Sequence, residues 1–227
     1  MLDRGRVGEL AVYGCVEGLI RTANTAALRK FLRVHADWLA TNTFTWGAAG
    51  WAWASLRDWP RAFRWMKSWK DYPDAEPWML VNVTEALRAR RLDQEAHEVC
   101  LHARSLSPGH GQHLHALWLA CDAIVAGDTQ HAAELLDESL GTELDDDYSF
   151  LATVARAAID IASVASSRRV SQFDRIRRTI DQAVRDYDHL QAEPARRRFY
   201  HVVLRLLARS TGTLSARVWA IRRRLLG

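Results

Sequence analysis

The chain has 227 residues, of which 48% are hydrophobic, and a formal net charge of +4. That is enough apolar content to bury a core, which excludes a disordered chain. The three cysteines, Cys15, Cys100 and Cys121, are odd in number and far apart, which excludes a disulfide framework. With no uncharged run of about 18 apolar residues and a first segment that reads as a helix rather than a leader, the expected location is the cytoplasm.

Residues 1–42 read as an N-terminal helix pair, over 7–22 and 25–39, with Asn24 and Thr25 capping the second helix. The pair is a candidate degenerate copy of the repeat that follows. Residues 43–144 contain that repeat in three units, 43–76, 77–110 and 111–144. Ala62, in the run Asp58-Trp59-Pro60-Arg61-Ala62, lies 34 residues before Ala96, in the run Leu92-Asp93-Gln94-Glu95-Ala96. A third copy, Gly127-Asp128-Thr129-Gln130-His131-Ala132, follows 36 residues later, the two additional residues falling in the Pro108–Gly111 turn, where an insertion costs little. In this register the first unit shows Trp46, Ala49, Gly50, Trp53, Ala62, Met66 and Pro73. The second keeps Ala96, Ala103 and Pro108, and the third keeps Leu119, Ala120, Gly127 and Ala132.

This pattern resembles the tetratricopeptide repeat (TPR), W-x2-L-G-x2-Y followed by A-x3-F and a closing proline. The resemblance implies an all-α solenoid, a right-handed superhelix of antiparallel helix pairs with a concave groove lined by the first helix of each pair. Carried over position by position, the partner-binding groove is Phe44, Trp51, Trp78, Asn82, Glu85 and Arg88. An exposed aromatic pair beside Asn, Glu and Arg suits a peptide-binding hot spot. Trp51 and Trp78 could equally pack between repeats. Seven of the ten tryptophans fall between Trp46 and Trp78, and Trp46, Trp53 and Trp69 are expected in the core. The corresponding groove positions of the third unit, Leu114, Leu117, Cys121 and Ile124, are apolar, which suits either an apolar ligand or, as the many later helices favour, a cover of C-terminal helices.

The cluster Cys100, His102, His110, His113, His115 and Cys121 matches no compact ligand motif, so no metal is expected. No phosphate loop, nucleophile elbow or zinc-protease motif occurs, and no cofactor or catalytic residue is expected. Asp145, Asp146 and Asp147 read as a helix start.

Residues 145–227 form an arginine-rich helical region, expected to cap the solenoid. Residues 1–165 carry 16 Lys+Arg against 22 Asp+Glu, whereas residues 166–227 carry 15 arginines against 5 acids. Arg196, Arg197, Arg198, Arg222, Arg223 and Arg224 are candidates for contact with an acidic partner or phosphate, since the planar guanidinium suits either anion. Leu214, Val218, Ile221 and Leu225 share one face of the last helix, which permits either docking on the solenoid or a membrane surface.

The expected function is a protein–protein interaction scaffold or adaptor, not an enzyme, holding a protein or peptide that is acidic if the arginines take part. Two alternatives stand beside it: a nucleic-acid-associated repeat protein, or the repeat module or subunit of a larger enzyme complex.

Overall fold

The computed structural model describes residues 4–164, 169–187 and 189–226, and every regular element among them is helical. About ten helices are expected from the sequence, and thirteen α-helices are found among the described residues. One addition comes from a break at His35, which ends one helix and precedes a separate single turn. The chain divides into two compact units, Met1–Gly111 and Gln112–Gly227.

The first unit contains α1 (Arg4–Arg21), α2 (Thr25–Val34), α3 (Ala36–Leu39), α4 (Thr43–Ser55), α5 (Trp59–Met66), α6 (Pro77–Ala89) and α7 (Asp93–Ser105). Short polar caps begin several of these. Asn24 Oδ1 accepts from the Ala27 amide, and Asn42 Oδ1 accepts from those of Phe44 and Thr45, which satisfies donors that a helix start leaves unpaired. Proline stands in the first turn of both α5 and α6, where its missing amide costs nothing.

The helix pairs are joined by one recurring turn. Ala23, Arg57 and Arg91 adopt positive φ (51°, 50° and 64°), and Gly127 in the second unit does the same at 88°. At each, the amide of that residue donates to the carbonyl three residues back and the next amide to the carbonyl five back. The longer bonds are Asn24 to Leu19, Asp58 to Trp53, Leu92 to Leu87 and Asp128 to Ala123, at 2.9–3.2 Å. This is the Schellman arrangement, which closes the carbonyls left open at a helix end. Its positions are spaced by 34, 34 and 36 residues, the period that Ala62, Ala96 and Ala132 also follow. The turn therefore recurs through four helix pairs, including the N-terminal pair over α1 and α2.

The core of the first unit holds Val16, Leu28, Leu32, Trp46, Met79, Leu80 and Val99. Ala62 and Ala96, each the fourth residue of its helix, are 1% and 0% exposed. Trp46 stacks on Tyr72 at 4.2 Å, and Trp46 and Trp65 each donate their indole N–H to the other's carbonyl. Trp46 and Trp53 are buried as expected. Trp69 is not: it is half-buried, with its ring against His102.

The second unit contains α8 (Gln112–Ala126), α9 (Thr129–Ser139), α10 (Asp146–Ser163), α11 (Arg169–Asp186), α12 (Pro194–Thr211) and α13 (Leu214–Leu226). Asp128 and Asp145 cap α9 and α10, and Asp146 and Asp147 complement the dipole in the first turn of α10. Leu117, Cys121 and Ile124 are buried while Leu114 is half-buried, and α10 packs against both α8 and α9. Phe150 stacks on Tyr187 at 4.7 Å and meets Tyr200 at 6.1 Å in the centre of this unit. Burial pushes the Tyr200 phenol up to about 12.

Candidate functional site

Helices α1, α4 and α6 of the first unit bring four aromatic rings together. Tyr13 of α1 stacks on Trp51 of α4 with centroids 5.3 Å apart and planes 19° apart. Phe44 meets Trp78 edge-on at 5.9 Å, and Tyr13 approaches Phe44 at 6.1 Å and Trp78 at 6.4 Å. Such tilted and offset contacts suit the ring quadrupoles. All four side chains are half-buried. The cluster is thus rigid yet still presents ring surface.

A cavity of about 450 Å³ adjoins Phe44, lined among others by Glu9, Leu10, Asp74, Glu76 and Met79. Its charged groups are carboxylates. Asn42 Nδ2 donates to Glu9 Oε1 at 2.7 Å, and Trp78 Nε1 donates to Glu76 Oε2 at 3.0 Å, so two of the three acids are held in place by residues of the aromatic face. Leu10, at 65% exposed, stands 34 residues before Phe44, which stands 34 before Trp78. The 34-residue spacing thus relates Leu10 of α1, Phe44 of α4 and Trp78 of α6.

The other expected groove residues lie deeper. Asn82, Glu85 and Arg88 are 9%, 3% and 4% exposed. Asn82 Nδ2 donates to the Trp78 carbonyl at 3.1 Å. A guanidinium and a carboxylate this deeply buried present little surface to a bound segment. At Gly111 the chain crosses α6 closely: its φ is +86°, and a Cβ there would lie 2.8 Å from Trp78 Cα. Only glycine meets both demands.

The arginines of the second unit separate into two groups. Arg196 is 2% exposed, donates to Glu193 at 2.8 Å and lies 4.7 Å from the Tyr148 ring centroid. Arg223 is half-buried and pairs with Asp181 at 2.6 Å. These two are engaged inside the unit. Arg197 is half-buried and donates to Gln191, Arg198 is half-buried, and Arg222 is exposed. The Arg224 side chain lies outside the described residues.

A larger cleft of about 620 Å³ runs between α10 and α11, with Arg156, Asp160, Arg175 and Ile176 on its walls. Arg156 pairs with Asp137, and Arg175 lies 4.0 Å from Asp160. Its lining holds two acids, Glu143 and Asp160, against two arginines, so it carries no net charge that favours an ion. Of the cysteine and histidine cluster, Cys100, His115 and Cys121 are buried and His102 and His110 exposed; no group of three metal-ligating side chains assembles among the described residues. No helix among the described residues is long and apolar enough to cross a membrane.

Tyr13, Glu9 and Leu10 were absent from the sequence-derived site. The signal that identifies them is the period itself: subtracting 34 from Phe44 gives Leu10, and subtracting 34 from Gly47 gives Tyr13. No family model, curated protein or solved structure matches this chain, so the roles of these residues rest on their geometry.

Proposed function

We propose that this chain is a TPR-like interaction module that holds a segment of a partner protein on the aromatic face of α1, α4 and α6. The observation that carries this reading is the half-exposed cluster of Tyr13, Phe44, Trp51 and Trp78 beside a cavity able to take a side chain. Rigid rings supply contact area at low entropic cost, and a few fixed polar groups set the orientation of the bound segment. The recurring turn supports the repeat reading, because four helix-pair junctions of the same geometry, spaced by 34, 34 and 36 residues, are what stacked repeats require. The charge of the partner changes from the sequence expectation. Arg88 is buried, and the cavity presents Glu9, Asp74 and Glu76, so the segment that fits carries a basic residue next to an apolar one.

A display library of random peptides, panned on the intact chain, tests this. Enrichment of segments pairing Lys or Arg with an aliphatic or aromatic residue is expected. Trp78→Ala should weaken the selected peptides by about 30-fold, or about 2 kcal/mol, as for an aromatic anchor. Undiminished affinity in a Trp78→Ala variant of unchanged helicity would place the binding surface elsewhere.

A further inference from the structure

Helix α13 is docked by an unusual side. Trp219 Nε1 and the Arg223 guanidinium both donate to Asp181 of α11, at 3.1 and 2.8 Å, and the Trp219 ring meets Phe173 edge-on at 5.5 Å. Ala216 and Ala220 are 0% and 1% exposed. Positions 216, 219, 220 and 223 thus face inward, and the helical period turns 217, 218, 221 and 222 outward. There the structure shows Val218 and Ile221 at 39% and 49% exposed, flanked by exposed Arg217 and Arg222. The buried side is Trp219 with two alanines, and the outward side presents two branched aliphatics among its arginines, an apolar pair left in water. In the sequence, Leu214 and Leu225 continue the spacing of Val218 and Ile221, and residues 214–227 contain no acid.

Charge decides what can cover this face. A second copy would set Arg217 and Arg222 against their own equivalents, on a segment where 15 arginines outnumber 5 acids. Nucleic acid would pair with the arginines and leave the aliphatic stripe against a polar backbone. A bilayer with anionic headgroups offers phosphate to both flanks and an apolar layer below the centre, and guanidinium binds phosphate through two parallel hydrogen bonds. The arginines of α12 at 205 and 209 are also exposed and add to the positive field. We infer that the outward face of α13 is a docking surface for an anionic lipid membrane, with Val218 and Ile221 entering the acyl boundary and Arg217 and Arg222 on the headgroup phosphates. This site is independent of the aromatic face of the first unit.

Co-sedimentation of the full chain with vesicles of phosphatidylcholine, alone or with about one third phosphatidylserine, tests the inference. Binding to the mixed vesicles is expected, falling about ten-fold or more without the anionic lipid or in high salt. Val218→Ser with Ile221→Ser keeps every charge and should lower binding about five-fold or more, while the melting temperature stays unchanged because both side chains are exposed. Arg217→Gln with Arg222→Gln should lower it similarly. The inference is overturned if the wild type stays in the supernatant with mixed vesicles, whatever it binds among acidic proteins or nucleic acids. It is equally overturned if the Ser variant sediments like the wild type, since charge alone would then explain the binding.

Discussion

The recurring left-handed turn makes a prediction with opposite signs at equivalent positions. Ala23 and Arg91 hold positive φ with a side chain attached, and both are exposed, so their Cβ atoms gain nothing from burial. An L-residue in this region pays about 1–2 kcal/mol, against the additional backbone entropy of about 0.5–1 kcal/mol that glycine loses on folding. Ala23→Gly and Arg91→Gly should therefore each stabilise by about 0.5–1 kcal/mol. Gly127 occupies the same place in the α8–α9 turn, and a Cβ there would meet nothing within 4 Å. Gly127→Ala should thus cost about 1 kcal/mol by conformation alone, without a clash to blame. Urea unfolding read from helical circular dichroism measures each difference, and calorimetry should show shifts of about 2–4 °C per kcal/mol. If Ala23→Gly and Arg91→Gly both destabilise, or Gly127→Ala is neutral, the turns are not held in the left-handed region, and the argument for four equivalent helix-pair junctions fails.

Two further outcomes follow from the first unit. Ala96 is fully buried at the equivalent position to Ala62 and Ala132, so Ala96→Leu should overpack the α6–α7 pair and cost about 1–3 kcal/mol; unchanged urea unfolding would mean that helices do not meet closely there. Asp58 is partly desolvated, which raises its pKa, but the guanidinium groups of Arg29 and Arg61 outweigh that and hold it below the ordinary value of 3.8. Its stabilisation is therefore complete above about pH 4, the unfolded value, and is lost as pH falls through the depressed folded value. Asp58→Asn should cost about 1 kcal/mol at pH 7, modest because both arginines are partly exposed, and the gap to wild type should narrow below pH 4. A gap that stays constant from pH 7 to pH 3 would contradict this assignment.

The all-helical architecture was legible because the apolar spacing, the prolines at helix starts and the Asn and Asp caps agree with one another along the chain. The turn that recurs through four pairs was harder to see. Three of its four positions are Ala23, Arg57 and Arg91, so the glycine that usually marks a helix end is present only at Gly127. Hydrogen bonding across the turn, which no single residue type reveals, is what holds those three in place. The groove illustrates a different limit. Carrying a repeat onto α6 assumes that one face of the helix meets solvent, yet eleven of its thirteen residues are buried. Its sequence carried no warning, since Arg88, Glu85, Trp78 and Asn82 share one side of the helix with Val81, opposite Met79, Leu80, Val83, Ala86 and Leu87, as in an amphipathic surface helix. Only the fold shows that Asn82, Glu85 and Arg88 on that side are covered, at 9%, 3% and 4% exposed.

The arginine-rich segment shows why a charge count alone misleads. Arg196 is internal because Glu193 precedes it by three residues, one helical turn, and that pairing is readable from the sequence. Arg223 is internal because Asp181 reaches it from another helix, 42 residues away, and only the fold makes that contact. Trp219 donates to the same carboxylate, so Asp181 meets α13 on the side opposite Val218 and Ile221. A single half-buried carboxylate on α11 therefore pairs Arg223 and lies on the side of α13 opposite Val218 and Ile221.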